Sequence, residues 1–170
     1  MSWLFPGLFE LPNLHPLFVH FPIAFWFGAF ALSCLGAWRS ATAFQLGIWM
    51  LHLGTLTGLV AVVSGFVAAA PLDHAAAGHD LVHVHRNLML VASILSVIAS
   101  ATVFLLRRDH GRRSHLTQVA LIAAVAGLAA LGADRGAVLV YRHGVGVGTA
   151  PAGAAPEHGH DNTPHTHEHR

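Results

Sequence analysis

The chain has 170 residues, 54% of them hydrophobic and only 10% charged, with a mean hydropathy of +0.57. Its apolar residues come in long charge-free runs and not in short alternating ones, which argues against a water-soluble domain. A formal charge of +1, with no basic patch among aromatics, offers nothing to a nucleic acid, and no hydrolytic or phosphate-binding motif is present.

Apart from histidine, no charged residue falls between Leu11 and Trp38, Ser40 and Leu72, Asn87 and Leu106, or Ser114 and Ala133. Each run reaches the roughly 20 residues needed to cross a bilayer core of about 30 Å. The expected fold is therefore all-α, an up-and-down bundle of four transmembrane helices over residues 11–147. Residues 148–170 read as a flexible Ala/Gly/Pro linker and a disordered tail carrying His158, His160, His165, His167 and His169. The first run has no basic flank and is too long for a secretory leader, so it reads as a retained span. A lone Cys34 forms no internal disulfide.

All nine basic residues are arginines, and four of them lie between Arg107 and Arg113. Short cytoplasmic loops accumulate such charges, so this loop and the one holding Arg39 are expected inside. Both termini and the loop after Pro71 then face the periplasmic or extracellular side.

The first helix is expected to begin at Pro16, with His15 as its cap and a kink at Pro22. Along it His20, Ala24, Gly28 and Ala31 recur at small-residue spacing, which points His20 at a neighbouring helix. The second carries a stripe of Gly47, Gly54, Gly58, Ala61 and Gly65, read as close helix contact. Asp80 reads as the cap of the third, on which His83 and Asn87 share a face with Ser93, Ser96 and Ser100. His85 points roughly 200° away from His83 and reads as a surface residue, like His74 and His79. The fourth shows Ala120, Ala123, Gly127, Ala130 and Asp134 on one face, and periodicity leaves open whether it breaks near Gly136. Asp134 and Arg135 read as a boundary ion pair.

Alternating helix direction gathers His15, His20, His83 and His143 at one outer surface. Convergent imidazoles suit haem iron or a zinc or copper ion. No Cys-x-x-Cys-His exists for covalent haem, so a haem here would be a single b-type haem. His20 and His83 are its expected axial pair, and Arg86, Arg142 and Asn13 stand near enough for its propionates. His52 lies alone deep in the second helix, which argues against a second haem. Two alternatives stay open. The four histidines could hold zinc or copper without haem, or the chain could be an accessory subunit packed onto a larger complex.

The segments His15-Pro-Leu-Phe-Val-His-Phe-Pro-Ile-Ala24, His83-x-x-x-Asn87 and Gly136-Ala-Val-Leu-Val-Tyr-Arg-His-Gly-Val-Gly-Val147 together resemble a bacterial domain-of-unknown-function family of small four-helix membrane proteins. The resemblance covers about residues 11 to 147 and implies a four-span inner-membrane protein. The family is in turn distantly similar to membrane cytochromes b and ferric reductase-like bundles, which makes haem the leading ligand; a single outward-facing haem favours exchange of electrons with a periplasmic redox protein. Arg135 departs from the family, which often has a glycine there.

Overall fold

The computed structural model describes residues 3–4, 13–71, 78–106 and 111–146. Those residues form four helices, α1 His15–Arg39, α2 Ala41–Ala69, α3 His79–Leu106 and α4 Arg112–His143, with no strand among them. Each is long and apolar enough to cross a membrane. The expected tail and the arginine-rich residues 107–110 lie outside the described residues.

α1 and α2 form a hairpin joined by the single residue Ser40, whose backbone is extended at φ −156° and ψ 112°. Ser40 serves both helices. Its N–H donates to the Gly36 carbonyl at the end of α1, and its hydroxyl accepts from the N–H of Ala43 at the start of α2. So tight a reversal presses the two backbones together, and Gly36 makes room, since a Cβ there would overlap the backbone of Phe44. Farther along, Trp26 of α1 is fully buried against Gly54 and Gly58, where added Cβ atoms would stand 2.5 and 2.7 Å from the indole. The glycine stripe of α2 is therefore a slot for that ring, as close packing in lipid favours.

α1 packs on α2 and α3 on α4, while α1–α4 and α2–α3 contacts close the ring of four, leaving α1 and α3 diagonal. The core joins Trp26, Phe44, Ile48, Leu51, Ala92, Ala99, Ile122 and Val125 from all four helices. One polar link crosses α2–α3 at mid-depth, with Thr55 Oγ1 lying 3.0 Å from Ser100 Oγ and 3.3 Å from the Ser96 carbonyl. α4 does not break at Gly136. It runs on to His143 and stops at Gly144, which takes the left-handed φ of 63° and returns its N–H to the helix.

Two helices start earlier than expected, α1 by one residue and α3 by two. α1 begins at His15 with Leu14 as cap residue and Asn13 Oδ1 accepting from the His15 N–H, and α3 begins at His79, leaving Asp80 in its first turn.

Candidate functional site

Two separate sets of histidines lie at the end of the bundle that holds the start of α1 and of α3. The first set joins all four helices. His15, at the start of α1, has Nδ1 3.0 Å from Ser64 Oγ of α2. The Ser64 hydroxyl also lies 2.9 Å from the Ala61 carbonyl, and when it donates there its oxygen accepts from His15 and Nδ1 carries the hydrogen. His85 of α3 has Nδ1 2.7 Å from the Gly132 carbonyl oxygen of α4, which can only accept, so here too Nδ1 carries the hydrogen. In each neutral ring Nε2 is then the nitrogen with the open lone pair. His15 and His85 lie on the diagonal helices α1 and α3.

Glycines back both rings. A Cβ on Gly65 would come 3.0 Å from His15 Cε1, and one on Gly136 would come 3.1 Å from His85 Cε1. These imidazoles are therefore fixed by a hydrogen bond on one side and by a helix backbone against the ring.

The second set runs along the first turns of α3. Arg86 Nη2, a donor only, lies 2.7 Å from His83 Nδ1, so that nitrogen accepts. His83 must then carry its hydrogen on Nε2, which lies 2.9 Å from His79 Nε2. The bond runs in one direction, from Arg86 to His83 to His79. The guanidinium also stands 5.9 Å over the Phe66 ring of α2, a cation–π distance.

Set against the sequence, the expected pair is not brought together. His20 is exposed, and its Nδ1 turns back on its own helix to the Pro16 carbonyl at 2.6 Å. It does not face a neighbouring helix. His83 has both ring nitrogens engaged, Nδ1 with Arg86 and Nε2 with His79. The core face of α1 is Pro22, Trp26, Ala29 and Ser33. His20 lies roughly 160° around the helix from Pro22, and His15 lies within about 20° of it. Ala24 and Ala31 of the expected stripe are exposed as well. On α3 the buried residues Ala92, Ser96 and Ala99 are in phase with His85, not with His83.

The wider set does not converge either. His143 is exposed, with its ring against Gly78, whose φ is 90°. Arg142 is exposed on the last turn of α4. Among the described residues no group of three or more His, Cys, Asp or Glu side chains is arranged to hold a metal ion, so His15, His20, His83 and His143 do not form one zinc or copper site. His52 has Trp49 and Phe104 as its ring neighbours, at 6.3 and 6.2 Å between centroids. Asp134 and Arg135 pair at 3.0 Å as expected.

His85, Ser64 and His79 are the residues that the sequence reading passed over. A signal for His85 existed in the spacing His85, Met89, Ala92, Ser96, Ala99, a continuous 4-3-4-3 row.

Four long apolar helices around one core define a multi-pass, all-α membrane protein. Residues 11–149 match the family described as predicted membrane protein (DUF2231), and the chain belongs to that family. No curated protein and no solved structure matches it.

Proposed function

We propose that this membrane protein binds one b-type haem between His15 and His85 and exchanges electrons at its outer surface. The observation that carries the reading is the matched state of the two rings. Each is held at Nδ1, by Ser64 and by the Gly132 carbonyl, and each keeps Nε2 for a ligand. Metal-bound histidines are oriented in this way by a partner on the second nitrogen.

The donor set favours haem over a bare ion. Structural zinc takes four protein ligands and catalytic zinc three. A porphyrin supplies four nitrogens of its own, so two imidazoles from diagonal helices complete the iron. Haem would supply a one-electron couple, and with both axial positions filled by protein, electron transfer suits it better than oxygen chemistry. The chain's part is to bind, orient and shield. His15 and His85 would ligate, Ser64 and Gly132 would keep their Nδ1 hydrogens in place, and Gly65 and Gly136 would let helix backbones stand against the rings. Arg142, exposed at the same end, is a cation available to a propionate.

The arginines at the opposite end support a bacterial inner membrane with this site on the periplasmic side, where a soluble redox protein could meet it. The test is an optical spectrum of the purified protein. A Soret band with one haem per chain supports the reading, and protein reconstituted with haem that shows no such band contradicts it.

A further inference from the structure

The contact between His79 and His83 has a geometry that a hydrogen bond does not require. The Nε2 atoms are 2.9 Å apart, while the ring centroids are 4.6 Å apart and the planes cross at 75°. A linear bond between two ring nitrogens would carry the centroids farther apart than this, so the rings lean together. For rings whose axes meet at one point, these two separations and the size of an imidazole put that point about 2 Å from each nitrogen, the length of a metal–imidazole bond. The two axes would meet there close to a right angle.

We propose that His79 and His83 are a two-imidazole chelate for a divalent ion of tetragonal preference, copper(II) foremost. A right angle is the cis angle of a square-planar or tetragonal centre and is narrower than the tetrahedral angle zinc prefers, and copper(II) also heads the affinity series for nitrogen sites. The spacing of four residues sets both rings on one side of a helix turn. Solvent or other donors fill the remaining positions at this outer end.

Arg86 competes with the ion. At present it donates to His83 Nδ1, which forces the His83 hydrogen onto Nε2. Ligation through Nε2 requires that hydrogen on Nδ1, where it would meet the guanidinium donor. Binding therefore moves the proton from Nε2 to Nδ1 of His83, with none gained or lost, and drives Arg86 off the ring. His79 already has Nε2 as its acceptor nitrogen and needs no such change.

The test is copper(II) titration of the full chain, followed by calorimetry and by electron paramagnetic resonance. The tail imidazoles are common to every variant and cancel in the comparison. The parent is expected to bind one equivalent more than His79→Ala, with nitrogen hyperfine structure that is lost in the variant, and the same result is expected for His83→Ala and for the gentler His79→Asn. Arg86→Gln is expected to bind copper at this site roughly tenfold more tightly, the scale of an outer-shell change. Equal copper stoichiometry and spectra in the parent and all three histidine variants would overturn the site, and equal affinity in Arg86→Gln would overturn the competition. The chelate does not rest on the haem reading. Haem is read by its visible absorption, and these variants leave His15 and His85 in place.

Discussion

His85 Nδ1 donates to the backbone carbonyl of Gly132 across the α3–α4 seam, at 2.7 Å. Gly136, one turn beyond Gly132, gives the ring room to approach, since a Cβ there would come 3.1 Å from His85 Cε1. Gly136→Leu is expected to push the imidazole out of the seam and destabilise the bundle by about 1–3 kcal/mol, as overpacking does. Unfolding in bicelles measures it. Unchanged stability together with an unmoved His85 ring signal would contradict the contact.

The glycines differ in what surrounds them, and substitution separates them. At Gly36 a methyl group would strike the Phe44 backbone, and the one-residue connection at Ser40 leaves the hairpin no slack to move. At Gly127 an added Cβ meets nothing within 4 Å. Gly36→Ala should therefore cost roughly 1–3 kcal/mol, whereas Gly127→Ala should stay within about 0.5 kcal/mol of the parent. Equal melting temperatures for the two variants would refute this account of the hairpin.

Thr55 links α2 to α3 through Ser100 and the Ser96 carbonyl. Side-chain bonds between membrane helices contribute about 0.6 kcal/mol on average and up to about 1.7. Thr55→Val, which keeps the shape and removes the hydroxyl, is expected to lose an amount in that range in the same unfolding assay, and Ser100→Ala in the Thr55→Val background should add little.

Much of this fold was legible in the sequence because lipid imposes a crude rule. Charge-free runs of bilayer length must be helices, so all four spans could be located, and the Gly47–Gly65 stripe of α2 correctly marked a contact face. The phase of α1 and α4 was not legible from small residues. In water the apolar face is the buried one, but in lipid both faces are apolar, and alanines suit either. Thus Ala24 and Ala31 on α1, and Ala120, Gly127 and Ala130 on α4, face outward, while Trp26 and Ile122 fill the core. The choice of His20 over His15 followed from that wrong phase. Topology sets the histidine-bearing helix ends at one end of the bundle, yet how each ring is held depends on Arg86, Ser64 and Gly132, partners from a neighbouring turn or another helix.

The orientation expected from the arginines can be checked by labelling from one side. With Cys34 replaced by Ala, a single cysteine at Tyr141, exposed at the outer end of α4, should react with a membrane-impermeant maleimide added to intact spheroplasts. One at Gly111, exposed at the inner end, should react only after permeabilisation. The reverse pattern would place the histidine site in the cytoplasm.

The most direct test of the central claim is haem reconstitution of the parent and of His15→Ala, His85→Ala, His20→Ala and His83→Ala, read by optical absorption and by electron paramagnetic resonance of the oxidised protein. The account predicts a low-spin, two-imidazole signal and a Soret band in the parent, His20→Ala and His83→Ala, with both features lost in His15→Ala and His85→Ala. Retention of that signal in His15→Ala or His85→Ala, or its loss in His20→Ala, would contradict it.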